Sequence, residues 1–394
     1  MFENLKALPP DAILRLIAEH QNDLREHKID LGVGVYRDEQ GRTPVLNSVK
    51  KAERRLLEEQ ETKAYLGSGG NPQFNEPMQA MMFGDAGAGS DRLVTLQTPG
   101  GSGSLRVAAG LILRAKPDVS VWTSEPTWAN HVPLLGGAGV NLEVYPYYDE
   151  SSRSIRFADM LDALERIPAG DIVLLHGCCH NPTGMDPDPS QWREIAEVIA
   201  SRRLLPFIDF AYQGFSEGLE EDAFPVRLLF DRVPEMIVSS SCSKNFGLYR
   251  ERVGSLSLVS ENATAAAVVR SQAFNIVRTM YSMPPDHGAA IVAAILNGPE
   301  LRVEWLEELR AMRMRLKGTR EMLGTVLREK APEHDFSHIG RGKGMFSFLG
   351  ISTEQVLRLK SEFGVYMVDS SRINVAGITR NNLDYLGESI AKVL

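Results

Sequence analysis

Short apolar runs alternate with helix-like stretches through the middle of the chain, and this alternation constrains the fold more than any other feature. The runs cover residues 119–123, 172–176, 204–210, 236–239 and 255–259, and helical patterns such as 105–113 and 191–200 lie between them. Strands that are apolar along their whole length have to be buried on both faces, as in a parallel sheet covered by helices. The sequence therefore predicts an α/β fold with a mostly parallel sheet and helices on both faces.

The length of the chain and a change of pattern after Pro332 predict more than one domain. A chain of 394 residues exceeds the size at which single cores usually stop growing. After Pro332 the pattern changes to a strand, a helix, two strands and a terminal helix, which is typical of a compact α+β unit. We predict an N-terminal arm over residues 1–12, a large cofactor-binding domain over 46–311, and a smaller α+β domain formed by both chain termini, 13–45 and 312–394.

Composition excludes several classes of function. The net charge of −8 and the lack of a basic block argue against binding to nucleic acid. No apolar stretch reaches the roughly 18 to 20 residues needed to cross a bilayer, and the first residues lack the apolar core of a signal peptide. The cysteines are Cys178, Cys179 and Cys242, and the adjacent pair is poorly placed for an ordinary disulfide, which fits a reducing compartment. We expect a cytoplasmic protein without a membrane partner.

Lys244 follows the apolar run 236–238 and five small residues, Ser239–Ser243, where a strand is expected to end. Open α/β sheets place their sites at the carboxyl ends of strands. A lysine there can form a Schiff base with a carbonyl substrate or with pyridoxal phosphate if an apolar pocket or a nearby cation lowers its pKa. Arg252, eight residues further on, is a candidate anchor for an anion. A single lysine is usually just solvated, so the surrounding motifs have to decide.

Two further stretches suggest ligand contacts. The turn Thr98–Ser104 is rich in glycine and serine and precedes a helix predicted to begin at Leu105, where free N–H groups can bind a phosphate. It is not a P-loop, because no lysine follows its last glycine. Asp209 ends an apolar run, where burial without a partner would cost several kcal/mol or neutralise the carboxylate. A protonated ring nitrogen could be that partner, and a cap or strand-end turn is the alternative.

The segment His176–His180 contains two histidines and two cysteines and resembles a metal-binding motif superficially. Residues packed so closely cannot easily surround one tetrahedral ion, and no second cluster completes the set. We expect no metal site.

The segment SCSKNFGLYRERVG around Lys244 resembles the lysine segment of the class I (fold type I) aminotransferases, in the aspartate and aromatic amino-acid aminotransferase subgroup. Six other segments resemble motifs of that subgroup in the same order along the whole chain: LGVGVYRDEQG, TPGGSGSLR, HGCCHNPTG, DFAYQGF, YSMPP and SSRINVAG. The resemblance implies a pyridoxal phosphate enzyme that forms a homodimer with shared active sites. It also implies ping-pong transfer of an amino group between amino acids and 2-oxo acids.

The resemblance also implies roles for individual residues. The catalytic residues would be Lys244, Asp209 and Tyr212. The cofactor would be held by these three together with Gly101, Ser102, Trp128, Asn181, Ser241, Arg252 and, from the neighbouring subunit, Tyr65. The substrate would be bound by Gly34, Trp128, Asn181, Arg278 and Arg372. Of the two arginines, Arg372 would bind the α-carboxylate and Arg278 would reach the side-chain carboxylate across the dimer interface. His131 would support Asp209, Gly34 and Val35 would lie on a mobile loop, and Phe346 would form a wall of the site.

Substrate preference is predicted from three departures from the aspartate enzymes of the subgroup. Ala64 and Met283 stand where those enzymes tend to have asparagine, and Ser102 replaces a frequent threonine. These changes make the side-chain pocket less polar and looser, so we expect aspartate activity with appreciable activity on phenylalanine and tyrosine, and 2-oxoglutarate as acceptor. A lyase or decarboxylase on the same fold is the alternative, and it would not need both Arg278 and Arg372.

Overall fold

A computed structural model describes residues 1–8 and 11–394 of the chain. The strands in these residues are β1 Ile29–Asp30, β2 Leu93–Pro99, β3 Ser120–Glu125, β4 Asn141–Pro146, β5 Tyr148–Asp149, β6 Ser154–Ile155, β7 Ile172–His176, β8 Leu205–Phe210, β9 Met236–Ser241, β10 Val253–Val259, β11 Phe346–Phe348, β12 Val365–Tyr366 and β13 Arg372–Asn374. The α-helices are α1 Ala12–Asn22, α2 Asn47–Glu59, α3 Pro72–Gly87, α4 Gly100–Ala115, α5 Phe157–Arg166, α6 Pro189–Arg202, α7 Leu219–Asp222, α8 Phe224–Phe230, α9 Ala263–Met280, α10 His287–Asn297, α11 Pro299–Lys330, α12 Ser337–Arg341, α13 Thr353–Phe363 and α14 Arg380–Val393.

A seven-stranded sheet forms the centre of the molecule, in the order β2-β10-β9-β8-β7-β3-β4. Strand β10 runs antiparallel to both of its neighbours, and the other pairs in the sheet are parallel. The predicted α/β fold with a mostly parallel sheet is therefore confirmed. Because β7, β8 and β9 are adjacent and parallel, their carboxyl ends meet at one edge of the sheet.

Alternate side chains of the central strands enter two separate apolar clusters, one on each face of the sheet. In β7, Ile172 and Leu174 pack with α4, whereas Val173 and Leu175 pack in the larger cluster with α6. The buried strands thus have helices on both sides, as their continuous apolar character predicts.

Two strands of this sheet and the start of one helix were not anticipated. The sequence pattern of strands β2 and β4 is less distinct because they lie at the two edges of the sheet. Strand β4, for example, exposes Glu143 and Val144. Helix α4 begins at Gly100, five residues before the predicted start at Leu105. The glycines were interpreted as a turn, yet they form the first helical turn, whose N–H groups have no partner within the helix.

Segments from near both ends of the chain pack together as a second group of elements. Strand β1 pairs in parallel with β12, β11 pairs with β13, and α11 packs along α14. We propose that this group, residues 13–45 and 312–394, is the smaller domain and call it the terminal unit. Residues 46–311 are called the central unit.

The predicted N-terminal arm includes Pro9 and Pro10, which lie outside the described residues. Within residues 1–8 the large apolar side chains of Met1, Phe2, Leu5 and Leu8 are exposed. No helix among the described residues is both long and apolar enough to cross a membrane.

Candidate active site

A cavity of about 220 Å³ lies at the carboxyl ends of β7, β8 and β9. Ten residues that the sequence predicted as site residues line it: Gly34, Gly101, Ser102, Trp128, Asn181, Asp209, Tyr212, Ser241, Lys244 and Arg252. The topology explains this grouping, because the strands end at one edge of the sheet and residues far apart in sequence follow those ends.

Lys244 lies in the turn after β9 and extends into the cavity. Burial lowers the pKa of Lys244 to about 8, Asp209 opposes this shift and Arg252 adds to it. The ammonium lies 4.9 Å from the centre of the Tyr212 ring. A lysine with a lowered pKa has an appreciable neutral fraction near physiological pH, and the neutral amine is the nucleophilic form.

Asp209 is the second-last residue of β8, and it lies opposite His176 of β7 and Ser239 of β9. Its carboxylate is buried, and its Oδ2 is 3.0 Å from Nε2 of His131. Burial alone would raise the pKa of Asp209, but the hydrogen bond from His131 and the nearby histidines and Lys244 lower it below its ordinary value. The site therefore presents a fixed negative charge at its base, which can stabilise a cation or a protonated ring nitrogen.

A chain of hydrogen bonds holds His131 in place behind this carboxylate. Its Nδ1 lies 2.8 Å from the hydroxyl of Thr127, which is 3.2 Å from Nε2 of His176. Burial, followed by the charge of His131, lowers the pKa of His176 to about 3. His176 is therefore neutral near pH 7. Through Thr127 it helps to position His131, the hydrogen-bond partner of Asp209.

Gly101, Ser102, Ser241 and Arg252 surround one end of the cavity, and we call this group the anion cradle. The first turn of α4 brings its free N–H groups here, and the guanidinium of Arg252 adds a full positive charge. Gly100 has φ +70°, which favours glycine, and a Cβ there would lie 2.5 Å from Nη2 of Arg252 and displace the guanidinium. The cradle suits a phosphate or another multiply charged oxyanion.

Two buried polar atoms near the cavity have no hydrogen-bond partner among the described residues: Oδ1 of Asn181 and Nε of Arg372. Asn181 precedes Pro182 through a cis peptide bond. Buried polar groups are normally satisfied, so orphaned atoms at a cavity indicate a ligand. Burial raises the pKa of the neighbouring Tyr212 well above its ordinary value, and the charge of Asp209 adds to this, so the phenol stays protonated.

Arg372 opens β13 and is 9% exposed, yet no carboxylate of the described residues pairs with it. Its Nη2 donates to the carbonyl of Gly32 at 2.7 Å, and its guanidinium carbon lies 4.5 Å from the centre of the Phe346 ring. A buried, unpaired guanidinium is costly unless an anion binds it. The planar fork of arginine suits a carboxylate.

A sequence model of the family described as "Aminotransferase class I and II" matches residues 26–390. The chain belongs to this aminotransferase family. It is 48% identical over 396 residues to the aspartate aminotransferase of Haemophilus influenzae, with all of both chains covered. It is 47% identical over 394 residues to the aromatic-amino-acid aminotransferase of Pseudomonas aeruginosa, with 100% of this chain and 98% of that relative covered.

Solved structures agree with this assignment. The aromatic-amino-acid aminotransferase of Burkholderia pseudomallei, covalently bound to pyridoxal phosphate, superposes with a TM-score of 0.98 at 43% identity, over 100% of this chain and 99% of that one. The protein is therefore a transaminase, and the named relatives do not favour the lyase alternative.

Three predicted residues of the aminotransferase are not among those that line the cavity: Arg372, which packs on Phe346 beside Tyr212, and two exposed residues. Tyr65 is 93% exposed, and Arg278, in the last turn of α9, is exposed and bonded to the hydroxyl of Ser282. A role for either residue in the site requires a second copy of the chain. That placement stays a prediction.

Sequence reasoning did not single out Leu105, Ala211, Ser243 or Tyr249, which also line the cavity of the aminotransferase. His176 was considered only as a metal ligand, although it ends β7 beside Asp209. The rule that strands end at the site could have found His176 and Ala211. Tyr249 lies within the segment SCSKNFGLYRERVG that carries the family resemblance, but no role was inferred for it. Among the described residues, no group of three or more His, Cys, Asp or Glu side chains is arranged to hold a metal ion.

Proposed function

We propose that this transaminase uses pyridoxal phosphate to move the amino group of aspartate, and to an appreciable extent that of phenylalanine and tyrosine, to 2-oxoglutarate. One observation carries the proposal. A lysine of lowered pKa and an ionised aspartate face one cavity, with an anion cradle at one end and the unpaired Arg372 near the other.

The residues of the cavity fit this cofactor. The anion cradle would hold its phosphate, Asp209 its ring nitrogen, and Tyr212 with Asn181 its 3-oxygen, while Trp128 would lie against the ring. Two observations support a ligand in this cavity: Oδ1 of Asn181 is buried without a partner among the described residues, and a side chain on Gly100 would enter the space beside the guanidinium of Arg252. When bound, pyridoxal phosphate supplies an electron-withdrawing ring that stabilises negative charge on the substrate α-carbon.

The residues of the chain then orient the substrate and move its proton. Arg372 would bind the α-carboxylate and, with Asn181, set the direction of the bond between the α-carbon and its hydrogen. Lys244, whose pKa of about 8 leaves part of the population neutral, would accept that proton on Nζ as a general base and deliver it to a different carbon as a general acid, since its return to the α-carbon would regenerate the amino acid. Because the amino acid and the 2-oxo acid have to occupy the same cavity in turn, ping-pong kinetics are expected.

The proposed dual preference rests on Ala64 and Met283, which stand where the aspartate enzymes of the subgroup tend to have asparagine. The backbone N–H of Leu66, two positions after Ala64, donates to the sulfur of Met283 at 3.1 Å, so these two positions lie close together in the fold. The aspartate and aromatic relatives are about equally similar to this chain, at 48% and 47% identity. We further propose a cytoplasmic homodimer in which Tyr65 and Arg278 complete the site of the partner.

The test is turnover of aspartate, phenylalanine and tyrosine with 2-oxoglutarate, together with the absorbance of the purified protein. We expect glutamate and the matching 2-oxo acid as products, and an absorbance band near the visible that Lys244→Ala abolishes along with activity. Lys317→Ala, which alters an exposed lysine of α11, is the matched control and should leave both unchanged. Release of ammonia or carbon dioxide instead of glutamate would favour a lyase or decarboxylase and contradict the proposal.

A further inference from the structure

Tyr249 joins the segment after Lys244 to a loop that carries Gly34. We call residues 31–43, between β1 and α2, the Gly34 loop. The hydroxyl of Tyr249 accepts a hydrogen bond from the backbone N–H of Tyr36 at 2.7 Å. Burial raises the pKa of Tyr249, so the hydroxyl is neutral and suited to accept this bond at any working pH.

Other hydrogen bonds attach the Gly34 loop to the rest of the terminal unit, to which the loop itself belongs. The carbonyl of Gly32 accepts from Arg372 at 2.7 Å, that of Val35 from Asn374 at 2.8 Å, and that of Asp38 from Arg315 at 3.2 Å. Among residues 1–8 and 11–394, the hydroxyl of Tyr249 is the only group of the central unit that hydrogen-bonds to this loop. A single bond therefore crosses between the two units at the place where the loop covers the cavity.

Tyr249 is also attached to the anion cradle. Its backbone carbonyl accepts from Nη1 of Arg252 at 3.2 Å, and its side chain lines the same cavity. Arg252 has φ +54°, a constrained conformation for a residue other than glycine, so the turn from Tyr249 to Arg252 has little freedom. The residue that holds the Gly34 loop is thus fixed to the residue that would hold the cofactor phosphate.

We infer that Tyr249 is a positioning residue that ties the Gly34 loop to the anion cradle and thereby holds the loop closed over a bound substrate. The inference rests on the proposed function for the identity of the substrate. Because the loop covers the end of the site near Arg372, which binds the carboxylate common to all amino acids, Tyr249 acts on every substrate alike. This distinguishes it from Arg278, which would act only on substrates with a second carboxylate.

The test compares Tyr249→Phe with Tyr385→Phe in the cofactor-loaded enzyme. Tyr385 donates its hydroxyl to the carbonyl of Phe363 at 2.7 Å within the terminal unit, so its variant also removes one tyrosine hydroxyl bond but leaves the Gly34 loop untouched. For Tyr249→Phe we expect KM for aspartate and for phenylalanine to rise by about 3- to 10-fold each, as the loss of one net hydrogen bond predicts, with kcat changed less than about twofold. The dissociation constant of succinate, an unreactive dicarboxylate, should rise by the same factor.

Limited trypsin digestion gives a second readout that needs no turnover. Arg37 and Arg42 are cleavage sites inside the Gly34 loop. Cleavage there should be faster in Tyr249→Phe than in the parent enzyme and in Tyr385→Phe, and succinate should protect the variant less, because proteolysis follows the open population of the loop.

The two readouts separate the failure of the inference from that of the proposed function. Unchanged KM and unchanged cleavage of the Gly34 loop would overturn the inference, and so would a fall in kcat with KM unaltered or an equal response of Tyr385→Phe. A parent enzyme that transaminates neither aspartate nor aromatic amino acids would overturn the proposed function, and the cleavage comparison would still decide whether Tyr249 holds the loop.

Discussion

The two walls of the cavity are built differently. On the side of the central unit, Asp209 lies near the end of the buried strand β8 and Lys244 in the turn after β9, and His131 hydrogen-bonds to Asp209. On the side of the terminal unit, Gly34 lies on a loop without regular structure, and a Cβ on it would approach the Phe346 ring to 3.1 Å. The charge of Asp209 thus lies on a wall that sheet packing holds rigid, whereas the opposite wall is formed in part by a loop.

This difference assigns separate tasks to the two walls. Groups that set proton positions have to be held within a fraction of an ångström, and only the strand ends provide that. Closure over a substrate requires a segment that can open, so it falls to a loop held by few bonds across the boundary. Substitutions on the central wall should therefore damage the chemical step, and substitutions that loosen the terminal wall should damage binding.

The largest effect should come from removing the fixed charge on the central wall. We expect Asp209→Asn to lower kcat by roughly 10²- to 10³-fold for every amino acid, because a preorganised charge at the base of the site is lost. Steady-state turnover of aspartate and phenylalanine measures this. Asp231→Asn, which alters an exposed aspartate after α8, is the control. A variant that changed KM alone would place Asp209 among the binding groups and break the division between the two walls.

A smaller and selective effect is expected from Arg278, which belongs to neither wall of its own chain. Arg278→Ala should lower kcat/KM for aspartate by about 10- to 100-fold, the loss of a hydrogen bond to a charged group, and leave phenylalanine nearly unchanged. Arg270→Ala, on the exposed side of the same helix, should alter neither.

The same variant tests whether the site is shared between subunits. Mixed dimers of Lys244→Ala chains and Arg278→Ala chains would contain one site with both residues intact, so aspartate activity should reappear on mixing. Equal losses for the two substrates, or no recovery in mixed dimers, would contradict the placement of Arg278 across the interface.

The central wall was largely predictable from the sequence, for a physical reason. Continuous apolar runs define buried parallel strands, and residues that lie at the end of such a run, as Asp209 does, or shortly after it, as Lys244 does, are expected to meet at one edge of the sheet. The run at residues 172–176 coincides with β7 for the same reason. Edge strands such as β4 were missed because they are half exposed and lack that continuous pattern.

The terminal wall was less predictable from residue patterns. Arg372 was found because the motif around it resembles a known family, not because its own surroundings in sequence indicate burial. Tyr249 contacts Tyr36 across more than two hundred positions of sequence, and the only sign of it is the hydrogen bond in the folded chain. Long-range contacts between a loop and a turn carry no periodicity, so a single sequence cannot reveal them.

The smallest effect concerns the charge of Lys244, which the central wall sets. With a pKa of about 8, roughly a tenth of the Lys244 amines are neutral at pH 7, against about 0.04% for an ordinary lysine near 10.4. In the cofactor-free protein, labelling of Lys244 by an amine-reactive probe should therefore be half-maximal near pH 8 and decline below it as the ammonium form takes over; peptide mass spectrometry measures this.

Two variants should move this midpoint in opposite directions. Arg252→Gln removes a neighbouring cation and should move the midpoint upward, whereas Asp209→Asn removes an opposing anion and should move it downward. An upward movement of one unit would lower the labelling rate at pH 7 about tenfold, and a downward movement of one unit would raise it about fivefold. A midpoint near that of surface lysines in the parent protein would mean that burial at the end of β9 does not tune this amine, and the rigid wall would lose its proposed part in the chemistry.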